Sequence, residues 1–151
     1  MALKQSPWAL GNNQSKRPQT AGALHTQRFI YDLSAGANAL AIGDIVEIGE
    51  LPPFCRIIDA KVYTNGSFAA ATADIGLMSG DYGDASNDPV RTSGAELFTA
   101  VDLTAMARLT KPDSLKIEPT EVSRGIGVKI AGAAVAAAAG KYLVLELSYI
   151  Q

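Results

Sequence analysis

A chain of 151 residues with 48% hydrophobic and 19% charged residues is long enough for one domain with its own buried core. Its 13 basic and 15 acidic residues give a net charge of −2 without a long run of either sign, which argues against the positive docking face that nucleic-acid binding needs. The single cysteine, Cys55, excludes an intramolecular disulfide, and we expect it to be a small buried hydrophobic residue in a protein assembled in a reducing cytosol.

Residues 1–23 differ in composition from the rest of the chain, because they are rich in Asn, Gln, Ser, Pro and Gly and show no helical or strand periodicity. We predict an extended N-terminal arm over these residues and a single β domain over residues 24–151. One interpretation of the arm is a flexible tail, yet it carries the only tryptophan of the protein. The alternative is an arm that anchors on a neighbouring subunit and orders on binding. The candidate interface residues are Leu3, Trp8, Leu10, Lys16 and Arg17.

The first half of the domain alternates between apolar and polar residues, which predicts short strands. QRFIYDL (27–33) alternates clearly, and GDIVEIGEL (43–51) is β-branched and ends at a pair of prolines that cannot continue a ladder. CRIIDAKVYTNGS (55–67) ends at an Asn-Gly turn, and TADIGLMSG (72–80) follows it. The residues predicted to face inward are Phe29, Tyr31, Leu33, Ile58, Ala60, Val62, Ala73, Ile75 and Leu77.

The second half is less regular. Residues 80–89 form a loop by composition, and GAELFTAVDLTAMARLT (94–110) fits both helical spacing and alternation, so we expect a short helical turn or an irregular connection. SLKIEP (114–119) predicts a short strand with Leu115 and Ile117 inward. GIGVKIAG (125–132) and KYLVLELSYI (141–150) alternate well. Their predicted inward residues are Ile126, Val128, Ile130, Leu143, Leu145, Leu147 and Tyr149.

The alanine-rich stretch between the last two strands, residues 131–140, is open to more than one interpretation. Alanine favours helix, but this preference is weak beside tertiary context. Lys141 and Glu146 interrupt the apolar run that follows, so we expect no membrane segment. We interpret 131–140 as a small-residue connection with room for one loose helical turn. The last strand is then expected to pair with 125–131 as a hairpin or to lie across the sandwich from it.

Seven or eight short strands separated by Gly, Pro, Asn and Asp turns, without long amphipathic helices, predict an all-β fold. A β-sandwich or jelly roll is the natural closure of such strands.

No residue pattern indicates catalysis or a cofactor. His25 is the only histidine, and with Cys55 it is too little for a structural zinc site. The loop 81–88 carries three Asp and one Asn but does not match the EF-hand pattern for calcium. We therefore expect no enzyme, no cofactor and no metal site. The tyrosines that could line a sugar-binding face are Tyr63, Tyr82 and Tyr142.

Three segments carry a resemblance to a known group of proteins. DIVEIGELPPFCRIIDAKVYTNG (44–66), TADIGLMSGDYGD (72–84) and KIAGAAVAAAAGKYLVLELSYI (129–150) resemble small structural proteins of tailed-bacteriophage heads. The chain departs from their pattern at Pro53-Phe54-Cys55, where a small Ala-Gly pair is more usual.

The resemblance is to head decoration or cement proteins, and it implies a jelly roll or β-sandwich that binds the outside of the shell and reinforces it. The implied partners are the major capsid protein and further copies of this chain, as a dimer or trimer, with neither nucleic acid nor a membrane. The implied location is the outer capsid surface of the virion, after synthesis in the bacterial cytoplasm. The alternatives are a carbohydrate-binding or host-adhesion module of the fibre or head-spike type, and a hydrolase with a carboxylate pair on a sandwich.

Overall fold

The computed structural model describes residues 1–17, 20–85 and 91–151, which form nine strands in two sheets and contain no α-helix. The strands are β1 (Leu3–Gln5), β2 (His25–Asp32), β3 (Ile45–Leu51), β4 (Arg56–Asn65), β5 (Thr72–Leu77), β6 (Phe98–Asp102), β7 (Ala107–Arg108), β8 (Arg124–Ala131) and β9 (Tyr142–Ile150). Short 3₁₀ turns cover Gly36–Asn38 and Pro112–Lys116.

The strand order is that of a jelly roll with one added edge strand. One sheet has the order β1-β3-β8-β5-β6 and the other β2-β9-β4-β7. Strands β2 to β9 are thus divided four and four between the sheets, as two wound Greek keys require, and β1 pairs in parallel with the edge of the first sheet. The predicted all-β sandwich is confirmed.

The core lies between the two sheets and takes one face from each strand, because successive side chains of a strand point to opposite faces. Full burial of one large apolar side chain contributes about 1.5–3 kcal/mol, so this layer dominates the stability. The predicted inward faces of β2, β5, β8 and β9 are confirmed by the buried residues Phe29, Tyr31, Leu33, Ala73, Ile75, Ile126, Val128, Ile130, Leu143, Leu145, Leu147 and Tyr149.

The predicted inward position of Ile58 is wrong. Ile57 is 2% exposed and faces the core, whereas Ile58 is 44% exposed. The pairing of β4 with β9 shifts register between Ile57 and Asp59. A bulge of this kind places two consecutive residues opposite one partner and resets the alternation, so Ala60 and Val62 face inward as predicted.

The prediction of a strand over 114–119 is also wrong, because these residues begin inside the 3₁₀ turn Pro112–Lys116. Proline suits the first position of such a turn. The turn buries Ser114, whose hydroxyl donates a hydrogen bond to the carbonyl oxygen of Glu96 at 2.5 Å, and leaves Leu115 48% exposed. Residues 94–110 contain β6 and β7 rather than a helical turn.

The alanine-rich connection 131–140 crosses from one sheet to the other, so β8 and β9 do not form a hairpin. It contains no helical turn, because Val135 forms a β-bridge with Leu40 and both side chains are buried. Gly132 has φ of +70°, and a Cβ there would lie 2.6 Å from the carbonyl oxygen of Ala70. Small residues are needed where this connection passes close to another segment.

Because of the bulge in β4, we expect alanine substitutions at the adjacent residues Ile57 and Ile58 to have very different effects on the free energy of unfolding. Ile57→Ala should lower the free energy of unfolding by about 2–5 kcal/mol, because it leaves a cavity in the core. Ile58→Ala should change it by less than about 0.5 kcal/mol, as at other surface positions. Urea denaturation of the two variants measures the difference, and equal losses would contradict the observed register.

Candidate interaction surface at the arm end of the sandwich

One end of the sandwich collects the N-terminal segment and three loops. Strands β3 and β5 end there and β4 and β8 begin there, as their antiparallel pairings require. The loops are residues 52–55, 78–97 and 109–123, and residues 86–90 of the second loop lie outside the described part of the chain. We call this end of the sandwich the arm end.

The N-terminal segment lies on the domain of its own chain before it reaches the arm end. Leu3 pairs with Ile45 in the edge strand, and the buried hydroxyl of Ser6 donates a hydrogen bond to the carbonyl oxygen of Ile48 at 2.6 Å. The ring of Trp8 meets the ring of Phe29 edge-on, with centroids 5.6 Å apart. Trp8 is therefore partly buried against the core of its own domain.

The other predicted interface residues lie in different surroundings. Leu10 is 58% exposed. The backbone carbonyl of Lys16 accepts a hydrogen bond from the hydroxyl of Tyr149, and Arg17 is exposed. The structure thus brings Trp8, Leu10, Lys16 and Arg17 to the arm end and leaves Leu3 in the edge strand. Contact of these residues with a neighbouring subunit stays a prediction.

A buried ion pair supports the arm end from inside. The Arg91 guanidinium donates to both carboxylate oxygens of Glu47, at 2.6 and 2.9 Å, and the two side chains are 3% and 0% exposed. The Gln5 side-chain amide donates to Glu47 and to the carbonyl oxygen of Gly83, both at 3.1 Å. This pair therefore joins strand β1 to strand β3 and to the loop 78–97.

The remaining hydrogen-bonding capacity of the pair is also used. Arg91 donates to the carbonyl oxygens of Ser79 at 2.9 Å and Asp84 at 2.8 Å. On β8, a Cβ at Gly125 would lie 2.3 Å from the carboxylate of Glu47, so only glycine leaves room for it. A buried charge pair is tolerated when its hydrogen bonds are satisfied in this way.

An open cleft of about 590 Å³ lies between the N-terminal segment and the loops. Its lining includes Trp8, Ser15, Arg17, Glu50 and Tyr82. Glu50 is only 6% exposed, and its carboxylate makes no hydrogen bond or ion pair with any residue that the structure describes. The Ser15 hydroxyl is buried and also has no partner within the described ranges.

The charge of Glu50 affects the groups around the cleft. Burial, together with the negative charges of Glu50 and Glu47, raises the pKa of the Tyr82 hydroxyl. Burial raises the pKa of Tyr149 to about 12, with smaller effects of Cys55 and Glu50. Burial also raises the pKa of the Cys55 thiol, which is 1% exposed, and this confirms the expected buried position of the cysteine.

Exposed apolar side chains also lie at the arm end. Phe54, in the loop 52–55, is 51% exposed and has φ of +60°. Its backbone N–H donates to the carbonyl oxygen of Thr120 at 2.8 Å, which ties this loop to the loop 109–123. Leu10, Leu24 and Val122, in other segments at the arm end, are 58%, 62% and 66% exposed.

Sequence reasoning found Trp8 because a tryptophan is unusual in a polar segment, but it missed Glu50 and Phe54 as site residues. Glu50 lies in a strand whose seven residues are all buried, and an acidic residue in such a strand is a signal for a functional role. Phe54 is the residue at which the chain departs from the Ala-Gly pattern, and its positive φ is typical of glycine.

The other candidate residues do not form a shared site. Tyr63 and Tyr142 lie on the four-stranded sheet, whereas Tyr82 follows β5 of the other sheet. His25 stacks on Tyr149 with centroids 6.3 Å apart. The described residues contain no group of three His, Cys, Asp or Glu that could hold a metal ion. Whether the loop 81–88 binds calcium was left open by the sequence, and this loop lies partly outside the described residues.

The described part of the chain contains no helix with the length and apolar character needed to cross a membrane.

Comparison with known structures finds similar chains, and three of them come from phage capsids. A chain in the capsid of Ralstonia phage GP4 is 36% identical, with a TM-score of 0.83, and the match covers 99% of this chain and 98% of that one. A chain in the acid-stable capsid of Helicobacter pylori bacteriophage KHP30 is 10% identical, with a TM-score of 0.54 and coverage of 87% and 90%. A chain in the capsid asymmetric unit of cyanophage Pam1 is 14% identical, with a TM-score of 0.56 and coverage of 93% and 94%.

The last two similarities concern the fold alone, whereas the first extends to the sequence along almost the whole length. No family model and no curated protein matches the chain.

Because the Glu47–Arg91 pair is buried, replacing its cation should lower the free energy of unfolding far more than replacing the cation of an exposed pair. Arg91→Met should lower the free energy of unfolding by about 3–5 kcal/mol, because it leaves the Glu47 charge buried without its counter-ion. Lys116→Met removes an exposed pair with Asp113 and should cost less than about 1 kcal/mol. Urea denaturation measures both variants. A loss at Arg91 as small as that at Lys116 would show that the pair does not hold the arm end together.

Proposed function

This chain belongs to the family of phage capsid structural proteins, and from that premise we propose that it binds the outer surface of a phage shell and cements neighbouring subunits of the major capsid protein. A role in the virion follows from the family. The decoration role, the outer location and the contact with the major capsid protein are the proposal. The arm end is the surface that faces the shell.

The observation that carries this proposal is the conformation of Phe54. A bulky residue at positive φ costs about 1–3 kcal/mol of backbone strain, and glycine or asparagine would avoid most of it. Phe54 does not recover this cost by burial in its own core, since it is 51% exposed. An aromatic side chain held outward in this way suits an anchor that enters a pocket on another protein.

The surroundings of Phe54 support the same orientation. Leu10, Leu24 and Val122 are also exposed at the arm end, and they add apolar area to the same end of the sandwich. The outward face of the four-stranded sheet is more polar, with ion pairs between Lys61 and Glu146 at 3.1 Å and between Arg108 and Asp59 at 2.8 Å. Such a face suits contact with solvent.

Cementing follows from repetition rather than from one strong contact. A lattice presents the same pocket many times, so a dimer or trimer of this chain, which we propose, would engage several shell subunits at once. Linked contacts raise the overall affinity by orders of magnitude without any new interaction. The N-terminal segment packs on its own domain and presents Lys16 and Arg17 at the arm end as further contacts for a second subunit.

A second candidate is a subunit of the continuous shell itself, which the relationship to a chain of the GP4 capsid favours equally. The two candidates differ in dispensability. A decoration protein binds shells that are already closed, and shells assemble without it, whereas a shell subunit is required for closure. Expression of the remaining head proteins without this chain, followed by electron microscopy, separates the candidates. Closed shells support decoration, and their absence supports the shell subunit.

Phe54→Asn tests the arm end directly, because asparagine tolerates positive φ and should leave the free energy of unfolding unchanged or slightly higher. Shell binding should fall by about tenfold or more, as for loss of an interface anchor. Cosedimentation of purified protein with shells that lack it measures the binding.

The matched control for this variant is Met106→Asn, in the connection between β6 and β7 at the opposite end of the sandwich. Met106 is 70% exposed, and its replacement should leave binding unchanged. Normal binding of Phe54→Asn, or an equal loss in the Met106 variant, would contradict docking by the arm end.

A further inference from the structure

Glu50 is the one described acidic side chain that is almost fully buried and has no partner. Glu47, on the same strand, is satisfied by Arg91 and Gln5, and Asp44 accepts hydrogen bonds from the N–H groups of Ala2 and Ala41. Glu50 is 6% exposed and accepts no hydrogen bond from the described residues. Its carboxylate opens into the cleft, so a cation that enters the cleft would supply the counter-charge that no described residue provides through an ion pair.

The lining of the cleft defines the kind of cation. Calcium requires six to eight oxygen ligands, and among the described residues Glu50 is the only acidic one on the cleft wall. The wall instead carries the aromatic rings of Trp8 and Tyr82, and aromatic faces attract organic cations. The unpartnered hydroxyl of Ser15 offers one further acceptor.

We propose that this cleft binds the guanidinium group of an arginine side chain from a neighbouring subunit of the major capsid protein. This inference rests on the proposed function and names the contact that the cleft contributes to it. A guanidinium group is planar, stacks on aromatic rings and donates up to five hydrogen bonds. It therefore satisfies the carboxylate of Glu50, the hydroxyl of Ser15 and the rings at the same time, which an ammonium group does less completely.

Arg17 lies on the same cleft wall but does not take this role within its own chain. Its side chain is exposed and makes no ion pair with Glu50. The carboxylate is therefore available to an external guanidinium.

The first experiment uses the isolated protein and a small probe. The chain has one tryptophan, so a nitrogen–proton NMR spectrum contains a single indole N–H resonance, which reports on the cleft wall. N-acetyl-arginine amide is titrated against N-acetyl-citrulline amide, which has the same shape but no charge. The arginine probe should shift the resonance saturably at millimolar concentrations, and the citrulline probe should bind about tenfold more weakly, because charge-assisted hydrogen bonds are the stronger ones.

Glu50→Gln should abolish the preference for the arginine probe without changing the melting temperature by more than a few degrees. Glu118→Gln is the matched control, because the Glu118 side chain is 75% exposed and paired with Arg56 outside the cleft. Tyr82→Leu, which removes one ring, should weaken the arginine probe in the same direction. An equal response to both probes, an unchanged preference in Glu50→Gln, or no saturable response would overturn the site.

The second experiment separates this inference from the proposed function. Glu50→Gln should reduce occupancy of shells several-fold in cosedimentation, while Glu118→Gln binds like the unmodified protein. If Glu50→Gln binds shells normally, the assignment of the cleft to a shell arginine is overturned while decoration stands. If the unmodified protein fails to bind shells, the proposed function is overturned, and the assignment to the shell fails with it whatever the probe titration gives.

Discussion

The arm end depends on one buried ion pair, between Glu47 and Arg91. Two charges without access to water are tolerated only when their hydrogen bonds are completed, and here the partners come from separate parts of the chain. The side chain of Gln5 links the N-terminal segment to Glu47. The carbonyl oxygens of Ser79 and Asp84 link the loop after β5 to Arg91. Both walls of the cleft are therefore positioned by the same pair, and a surface made of a terminal segment and a long loop gains the rigidity of the sheet beneath it.

Much of the fold could be predicted from alternation, because a strand buried on one face repeats every two residues. β9 is the clearest example, since Leu143, Leu145 and Leu147 all face the core as expected. The pattern failed where the backbone departs from a regular ladder. The bulge in β4 turned Ile58 outward, and the 3₁₀ turn after Pro112 exposed Leu115. The pairing of β1 could not be predicted, since three residues at a sheet edge are too few to show a period.

The site was predictable only in part. An unexpected tryptophan drew attention to the N-terminal segment, although Trp8 packs first against Phe29 of its own domain. Glu50 and Phe54 could be identified only from the structure. Glu50 stands out because its carboxylate has no partner among the described residues, and Phe54 because its φ is positive. The proposed binding to a lattice needs few specialised residues. Phe54 and Glu50 are recognised by the free-energy cost of a positive φ and of a buried charge.

The central proposal is that this chain sits on the outside of a shell with its arm end inward. An electron cryomicroscopy map of intact particles, at a resolution that traces the strands, tests it most directly. We expect density for the jelly roll outside a continuous shell, at junctions between subunits, with Phe54 and the cleft beside Glu50 against the shell. Density within the shell itself, or the Met106 end against it, would contradict the claim.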